Sequence, residues 1–476
     1  MLWAVVLLTS LTGCVRYTGI ELLGTQREIP QEIADERFSA WPDPDWWSGY
    51  HDPALDALIA SALRENPDIA FAEARVRMAE SIAGYVGALR KPRVDTGFSS
   101  TWQRYSENGL VPPSLGGSHE ADTRFAVDLS WELDLFGKLR EARTSTEYQV
   151  EVDRLTAHVS RLAISSAVAR TYFRLAEASA QRDVAMATIE QRQRILALVD
   201  ARVTMGLDSQ VERLQAQAAI PKAEEEVARI DEQISLLRSA LSRLAVVPLA
   251  TTATLAPRLN ALPPPPLPDP IPSDLIARRA DLVAAQWQVE SLVHGIESVK
   301  AEFYPTVNLN TFAGFSSLGV DELLQGGSGI YGVAPSIRLP LFDAGRLRAK
   351  LSFITAQGDA AIARYNDTLL EAMQEVIHAI TSIQSLQRRM EVQQRARTSA
   401  AAAYDVALQR YKAGLTGYLT VLSTESALLE ERRAETALRA RALALDVALK
   451  QALGGGIDTG SLPPSSLSGL ARKDSP

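Results

Sequence analysis

Hydrophobic residues recur along this chain with two different periods, one typical of long helices and the other of strands. The helical period, with alternating spacings of three and four residues, occurs in two runs: Val227, Ile230, Ile234, Leu237, Leu241 and Leu244, and Met373, Val376, Ile380 and Ile383. This spacing is that of a coiled-coil seam. The predicted helices run near 54–90, 139–204 and 209–246, and again near 273–303, 347–412 and 417–453. A helix of about 65 residues is roughly 100 Å long, which is the length of a rod and not of a globular domain.

Four shorter segments alternate apolar with polar residues and are predicted as strands, near 94–105, 124–135, 306–315 and 331–341. In the second segment every odd position is apolar, whereas the even positions include Arg124, Asp128 and Glu132. Side chains alternate faces along a strand, so one face is apolar and the other polar. The lengths suit tilted membrane-spanning strands. The alternative is an amphipathic sheet on a soluble core, but the coiled-coil helices leave no evident flat face to cover it.

The two halves of the chain repeat one plan of helix, two strands, long helix and closing helix. A shift of 213 residues places Pro92 on Pro305, and a shift of 208 residues places Gly206 on Gly414. Such self-similarity predicts a duplicated architecture. The predicted divisions are a lipoprotein signal peptide (1–13), an N-terminal segment (14–53), a first repeat (54–247), a proline-rich linker (248–272), a second repeat (273–454) and a disordered tail (455–476).

Four strands per chain cannot close a barrel on their own. Backbone N–H and C=O groups must all be paired inside lipid, so an open sheet is not stable there. Three chains would together supply about 12 strands, enough for an aqueous lumen. The predicted fold is therefore mainly α with a β-barrel: a long α-helical coiled-coil barrel, four transmembrane β-strands per chain, a 12-stranded barrel in a homotrimer, and an internal two-fold sequence repeat.

A lone cysteine, Cys14, follows the apolar stretch at positions 2–11. That stretch is too short to span a bilayer and is similar to the hydrophobic region of a secretory signal. The sequence Leu-Thr-Gly-Cys that ends at Cys14 resembles a bacterial lipobox, in which the cysteine thiol is acylated. We predict lipidation of Cys14 over a free buried thiol, although no Lys or Arg precedes the apolar stretch. No later segment is apolar over about 18 residues, so the sequence predicts no transmembrane helix after Cys14.

Composition and the spacing of polar residues narrow the function. Charged residues make up 22% of the chain and the net charge is −8, which argues against a nucleic-acid partner. The five histidines lie far apart, with no metal-ligand spacing and no nucleophile motif near them. We therefore predict neither an enzyme nor a metal or cofactor site. A periplasmic coiled-coil lipoprotein scaffold is an alternative that the helices alone allow, but it leaves the four two-faced strands unexplained.

Several local motifs, in a fixed order and partly duplicated, carry a family resemblance. They are Trp46-Trp47, DPALDAL at 52–58, ALRENPD at 62–68, LDLFG at 133–137, its echo LPLFDAG at 339–345, and YKAGLT at 411–416. Behind a lipobox, this order resembles the outer membrane factors, the TolC-like trimeric channels, and in particular their lipidated NodT/OprM-type branch. The resemblance covers nearly all of residues 14–454.

The resemblance implies a location and a function. It implies a homotrimer in the bacterial outer membrane, lipid-anchored and barrel-inserted, with a helical tunnel that extends into the periplasm. It also implies coupling, through a periplasmic adaptor, to an inner-membrane pump of the RND type, with drugs or other toxic compounds moving passively outward. Type I protein secretion through the same kind of channel is the closest alternative function.

The resemblance also implies two sets of functional residues, at the turns between the long and the closing helices. The residues expected to dock the adaptor are Arg202, Gly206, Leu207, Arg410, Gly414 and Leu415. The candidates for the periplasmic gate are Tyr411, Thr416, Thr420, Ser423 and Glu212. The family often places acidic residues six and nine positions after the second turn glycine, where this chain has Thr420 and Ser423. Hydroxyl groups bind cations much less than an acidic ring does, so the chemistry of the gate stays open.

Overall fold

A computed structural model describes residues 17–28, 44–259 and 278–456, which are mainly helical, as predicted. The helices are α1 (Pro53–Glu65), α2 (Pro67–Ala88), α3 (Lys138–Thr204), α4 (Gln210–Ala245), α5 (Leu249–Ala253), α6 (Ala280–Ala301), α7 (Arg346–Lys412) and α8 (Tyr418–Ala452). The strands are β1 (Arg93–Arg104), β2 (His119–Leu133), β3 (Thr306–Leu318) and β4 (Gly329–Arg338). The predicted signal peptide, Cys14, the middle of the proline-rich linker and most of the predicted tail lie outside the described residues.

The two long helices have the same length. α3 and α7 each contain 67 residues, and their bounds agree with the prediction to within one residue at either end. The closing helices α4 and α8 agree equally well. At 1.5 Å per residue, each long helix extends for about 100 Å. Nowhere in the described ranges does a helix carry an apolar stretch of membrane-spanning length.

The first opening helix, predicted as one element over 54–90, is instead two helices that meet at Asn66. Asn66 has an extended backbone (ψ 128°), because the ring of Pro67 excludes the helical conformation from the residue before it. The Asn66 side chain compensates for the break. Its Oδ1 accepts from the N–H of Asp68 at 2.9 Å, and its Nδ2 donates to the carbonyl of Leu244 at 3.0 Å.

The second opening helix starts later than predicted. The prediction was 273–303, whereas α6 begins at Ala280 and residues 273–277 lie outside the described ranges. Arg279 occupies the position before the first helical residue, and its carbonyl accepts the N–H of Val283 at 3.0 Å. The buried Arg279 guanidinium also donates to the carbonyl of Ala452 at 2.9 Å. The start of α6 is therefore tied to the end of α8.

The four strands form an antiparallel sheet in the order β1-β2-β3-β4. Phe98 pairs with Phe125, Phe125 with Phe315, and Thr311 with Val333. Because side chains alternate along each strand, this register places most of the large apolar side chains of the four strands on one face of the sheet, whereas Phe312 and Ile330 lie on the other. Within the described residues β1 and β4 each have one neighbour, so each leaves one edge unpaired.

The strand ends differ from the predicted ones by a few residues. β2 begins at His119, which pairs with Arg104, so the hairpin ladder continues beyond the apolar alternation. β3 likewise continues to Leu318. β4 ends at Arg338, two residues before Pro340, which has no N–H for a ladder. Pairing with the neighbouring strand, and not the side-chain pattern, therefore sets the start of β2 and the end of β3.

The described residues divide into two compact units, each with its own core. The first, the sheet unit, contains residues 17–27, 75–154 and 284–366. Its helical core is formed by Ile296, Val299, Phe303, Leu347 and Leu351, with Tyr17, Ile20 and Leu22 packed against it. The N–H groups of Leu23 and Gly24 donate to Asp359 Oδ1 at 2.8 and 2.9 Å, which holds the N-terminal segment along α7.

The second, the helical unit, contains the other described residues, and two of its apolar clusters matter here. The larger cluster, here the body core, includes Trp46, Trp47, Leu55, Ile59, Phe173, Ala185, Val227, Ile230, Ile234 and Leu241. The smaller cluster, here the tip core, consists of Ile195, Val199, Ala216, Tyr404, Tyr411, Tyr418, Val421 and Leu428. The tryptophan pair of the sequence motif is therefore buried in the body core. Beside it, Tyr50 Oη donates to Asp446 at 2.5 Å.

Candidate functional site

The first helical tip, residues 202–208, is a tight turn between α3 and α4. Gly206 has a φ of 71°, in the left-handed region that favours glycine. The N–H of Leu207 donates to the carbonyl of Arg202 at 2.9 Å, which closes the helix in a Schellman motif. The Leu207 side chain is 60% exposed. The turn therefore exposes the apolar side chain of Leu207 next to Gly206, where the backbone is not covered by a side chain.

The second helical tip, residues 410–416, repeats this geometry between α7 and α8. Gly414 has a φ of 75°, and the N–H of Leu415 donates to the carbonyl of Arg410 at 2.8 Å. Leu415 is exposed, and so is the Arg410 side chain. Arg410 makes no side-chain hydrogen bond or ion pair with any residue that the structure describes. Its charge is therefore available to a partner.

We expect Gly206→Ala to loosen the first tip without a steric clash. Nothing lies within 4 Å of a Cβ added there, so the cost of about 1 kcal/mol comes from the left-handed backbone alone. Amide hydrogen exchange of residues in the first tip should accelerate about fivefold. Gly84→Ala, at an equally open glycine inside α2, is the control and should leave exchange at the tip unchanged. Unchanged exchange in Gly206→Ala would contradict the role given to this turn.

Three buried side chains join the two tips, and we call them the tip latch: Arg202, Asp208 and Tyr411. Arg202 Nε donates to Asp208 Oδ2 at 2.9 Å, and Arg202 Nη2 donates to Asp208 Oδ1 at 3.2 Å. Arg202 Nη1 donates to the carbonyl of Tyr411 at 3.0 Å, and its guanidinium lies 4.6 Å from the centre of the Tyr411 ring. The hydroxyl of Tyr411 donates to Asp208.

The protonation states of the latch suit this arrangement. The hydrogen bonds from Arg202 lower the pKa of Asp208 below its ordinary value. Burial, together with the Asp208 carboxylate, raises the pKa of Tyr411. At neutral pH Asp208 is therefore ionised and Tyr411 is a neutral donor. Charge-assisted bonds of this kind are stronger than bonds between neutral groups.

The structure places the predicted tip residues in different roles. Gly206, Leu207, Arg410, Gly414 and Leu415 lie at the surface of the tips, where the prediction puts docking residues. Arg202, predicted with them, is 7% exposed and is part of the latch. Tyr411, predicted as a gate residue, is fully buried in the same latch.

The hydroxyl gate candidates bond to each other and to their own helix. Thr416 Oγ1 donates to Thr420 Oγ1 at 3.0 Å, and Ser423 Oγ donates to the carbonyl of Thr420 at 3.0 Å. Thr420 and Ser423 are exposed, so these positions present small hydroxyls where an acidic ring would present charge. Within the described residues, no group of three or more His, Cys, Asp or Glu side chains is placed to hold a metal ion.

Glu212, also a gate candidate, is part of a helix cap. The N–H of Ser209 donates to Glu212 Oε2 at 2.9 Å, and the N–H of Val211 donates to Ser209 Oγ at 3.1 Å. These bonds form a capping box at the start of α4. The hydrogen bond from the Ser209 side chain lowers the pKa of Glu212. The spacing Ser-x-x-Glu over 209–212 is the signal by which the sequence could have revealed this role.

Sequence reasoning gave no role to Asp208, the centre of the latch. The available signal is a break in the repeat. The 208-residue shift that matches Arg202 with Arg410 also places Asp208 on Thr416 and Val203 on Tyr411. Asp208 and Tyr411, the two partners of Arg202, therefore have no equivalent in the other sequence repeat. This difference between the repeats is the sequence signal for an interaction that joins the two tips.

A comparison with known protein families shows which family this chain belongs to. Residues 58–245 and 271–455 match the model of the outer membrane efflux protein family. This chain belongs to the outer membrane efflux protein family. The two matched segments cover most of the chain and include both tips.

Individual relatives agree with the family. The chain is 30% identical over 429 residues to the multidrug resistance outer membrane protein MdtQ of Escherichia coli O6:H1, covering 88% of this chain and 89% of MdtQ. It is 28% identical over 420 residues to the toluene efflux pump outer membrane protein TtgF of Pseudomonas putida, covering 88% and 87%. The crystal structure of the outer membrane protein VceC of Vibrio cholerae superposes with a TM-score of 0.83 at 32% identity, covering 87% of this chain and all of VceC.

These comparisons confirm three predictions. The family predicted from the sequence motifs is the right one, the protein is an outer-membrane protein, and its function is that of an efflux channel component. The relatives named here are outer-membrane proteins, two of them named for drug resistance or efflux, and none is named as an enzyme.

Proposed function

We propose that three copies of this chain form one channel through the outer membrane, as the exit duct of a tripartite efflux system. In this proposal the four strands of each chain contribute to a 12-stranded barrel, and the long helices continue it as a tunnel into the periplasm. The observation that carries the proposal is the sheet, which has one apolar face and two unpaired edges within the described residues. In lipid such edges must be paired, and identical chains can pair them.

The exposed apolar face of the sheet supports a lipid environment. On β1, Val94, Phe98 and Trp102 are exposed, and on β4 Tyr331 and Val333 are exposed. Both are edge strands. On β1 the residues between these apolar positions, which point to the opposite face, include Asp95 and Ser99. A contiguous apolar surface of this kind is unfavourable in water and marks a contact with lipid or protein. A polar opposite face would line the aqueous lumen.

An exposed apolar stripe on α2 supports association of identical chains. Met78, Ile82 and Tyr85 are each about half exposed or more, and they follow the helical spacing of four and three. Three large apolar side chains on one face of a helix are unfavourable in water, so such a face is normally buried against another surface. We assign this stripe to the contact with the neighbouring copy in the homotrimer.

The tips are the proposed contact with the adaptor and the proposed gate. Docking of adaptor helices is favoured by the exposed Leu207 and Leu415 and by the open backbone at Gly206 and Gly414. It is also favoured by the charge of Arg410, which pairs with none of the described residues. The latch holds each pair of tips together, so its release would widen the periplasmic entrance. Thr416, Thr420 and Ser423 would border that entrance, with hydroxyls in place of acids.

The proposed cargo is a small toxic compound, and the protein itself breaks no bond. MdtQ is named for multidrug resistance and TtgF for toluene efflux, which favours drugs and organic solvents over proteins as cargo here. An inner-membrane pump of the RND type, reached through the adaptor, would supply the energy and select the substrate. Type I protein secretion stays the alternative function. Restored resistance to a toxic compound on coexpression with an RND pump and adaptor, without secretion of a type I substrate, would decide for efflux.

The channel is tested on the purified protein in detergent. We expect a trimer that dissociates only on heating and that conducts ions after reconstitution into planar lipid bilayers. A monomer that produces no conductance would overturn the channel and favour the coiled-coil scaffold.

We propose in addition that Cys14 carries the lipid anchor, on the evidence of the lipobox-like sequence alone. Acyl chains on the mature N-terminal peptide, measured by mass spectrometry, would support this. An unmodified cysteine in the purified membrane protein would exclude it.

A further inference from the structure

The sheet unit has a rim where its strands continue into the helices. Antiparallel pairing places the start of β1, the end of β2, the start of β3 and the end of β4 at this one end of the sheet, where Thr306 pairs with Arg338. The rim consists of residues 89–93, 132–138, 302–306 and 338–346. Its large exposed apolar side chains are Leu89, Leu135, Phe136, Tyr304, Leu341 and Phe342. Such residues are expected where any membrane barrel leaves the lipid.

The first described residues of the chain also lie at the rim. Tyr17 Oη lies 3.3 Å from Tyr304 Oη, and the Tyr17 ring packs edge-on against that of Phe303, with 5.3 Å between the ring centres. Cys14, the proposed lipid anchor, precedes Tyr17 by three residues and lies outside the described residues. Three residues span at most about 11 Å. An acyl chain on Cys14 would therefore enter the bilayer close to the rim, which supports a place for the rim at the periplasmic leaflet.

Three exposed cations of the rim have no partner among the described residues. Arg90 and Lys91 lie between α2 and β1, and Arg346 is the first residue of α7. None of the three side chains makes a hydrogen bond or an ion pair with a residue that the structure describes. The backbone carbonyl of Arg90 accepts from Trp131 Nε1 at 3.0 Å. Trp131 pairs with Leu309 on the apolar face of the sheet, so Arg90 lies beside that face.

Four carboxylates of the rim are already engaged by other groups. Asp134 and Asp343 cap the two long helices and accept backbone N–H groups at 2.7 to 3.0 Å. Glu132 and Glu302 each form an ion pair with a lysine. A cation is also unfavourable in the first turn of a helix, where the N–H groups carry partial positive charge, so Arg346 does not stabilise α7. The positive charge of the rim is therefore available to an anion outside the chain.

We propose that the rim binds the phosphate group of anionic phospholipids at the boundary between two copies of the chain. The proposal rests on the proposed function, in which three copies share one barrel. In that barrel the free edge of β1 meets the free edge of β4 of the neighbouring copy, so Arg90 and Lys91 of one copy lie near Arg346 of the next. Guanidinium and ammonium groups bind phosphate by charge-assisted hydrogen bonds. The acyl chains pack on the exposed Leu341 and Phe342.

The test is native mass spectrometry of the delipidated trimer in detergent, with dioleoylphosphatidylglycerol added as the anionic lipid and dioleoylphosphatidylcholine as the zwitterionic one. We expect one phosphatidylglycerol at each subunit boundary, bound at least about tenfold more tightly than phosphatidylcholine. Arg90→Gln with Lys91→Gln should abolish this preference, and Arg346→Gln, on the other side of the boundary, should reduce it about fivefold. Arg90→Lys with Lys91→Arg keeps both charges and should keep the preference.

The matched control removes an equal charge elsewhere. Arg388 and Arg389 are an adjacent pair of exposed arginines on α7, in the helical unit, and they too make no ion pair with a described residue. Arg388→Gln with Arg389→Gln should leave the preference for phosphatidylglycerol unchanged. A loss as large as that in the Arg90 and Lys91 variant would mean that overall charge attracts the lipid, which would overturn the site. A purely structural role of the rim cations would alter trimer stability without altering lipid preference.

Three further results would overturn the lipid site while leaving the channel intact. The first is equal binding of the two lipids to the native trimer, and the second is a preference that survives in both rim variants. The third is release of the lipid by millimolar inorganic phosphate, which would indicate a site for a free anion. A native protein that forms no trimer in detergent would instead overturn the proposed function.

Discussion

Replacing Asp208 with asparagine is expected to open the periplasmic entrance of the assembled channel. Asp208 accepts two hydrogen bonds from Arg202 and one from Tyr411, and it supplies the carboxylate partner of the Arg202 guanidinium in the latch. Arg202 and Asp208 side chains are each 8% exposed, so the pair is buried. Removing one partner of a buried ion pair costs about 3–5 kcal/mol, because the remaining charge is left uncompensated. The closed state should lose most of this energy.

The measurement is single-channel conductance of the reconstituted trimer, together with entry of a bulky antibiotic into cells that express it. The open fraction of Asp208→Asn should rise by at least about a hundredfold where the closed state dominates. Tyr411→Phe removes one hydrogen bond and should have a smaller effect of about 1 kcal/mol. Asp200→Asn is the control, because Asp200 pairs with Arg213 at 3.0 Å near the same tip but both side chains are more than 40% exposed.

The pH dependence follows from the lowered pKa of Asp208. A carboxyl whose pKa is lowered by folding contributes stability that is complete above its ordinary pKa of about 4 and is lost as pH falls through the lowered value. The latch should therefore stay closed between pH 5 and 8 on account of Asp208. Acid opening that persists unchanged in Asp208→Asn would show that the latch does not govern the gate.

Replacing Val333 with arginine is expected to prevent insertion into the outer membrane. Val333 is 70% exposed on β4, on the apolar face of the sheet. An arginine on the lipid face of a barrel costs about 2–4 kcal/mol near the bilayer midplane, and a homotrimer incurs this cost in each of its chains. The yield of heat-dissociable trimer in the outer-membrane fraction should fall by more than tenfold.

The neighbouring position supplies the matched control. Ala334 is paired with Asn310 and lies on the opposite, polar face of the same strand. Ala334→Arg should assemble normally and should alter the ion selectivity of the lumen. Equal assembly of the two variants would mean that the apolar face does not contact lipid, and it would contradict the proposed transmembrane barrel.

The local elements of this protein could be predicted closely from its sequence. The C-terminal ends of α3 and α7 could be predicted because a turn glycine, Gly206 or Gly414, follows two residues after the last helical residue. The two-residue alternation predicts the faces of the strands, because a strand has no other way to separate apolar from polar side chains. The predicted strand ends were wrong where pairing with the neighbouring strand extends a strand beyond its apolar alternation. His119 is an example, because it belongs to β2 through its pairing with Arg104 on β1.

The positions of the two turns could be predicted from the sequence, but the contacts of their side chains could not. Arg202 and Arg410 occupy matching places in the repeat, and the sequence alone assigns them one role. In the structure Arg202 is buried against Asp208 and Tyr411, whereas Arg410 is exposed. The difference arises because Tyr411 comes from the other tip, more than 200 residues away along the chain.

The sequence by itself therefore determined the family, the helices and strands, and the two turns where the gate is proposed. Only the tertiary structure decided which charges are paired, as in the latch and in the ion pair of Arg192 with Glu425. The physical reason is the range of each effect. Hydrophobic periodicity acts between residues a few positions apart, whereas the burial and pairing of a charge depend on which distant helix lies across from it.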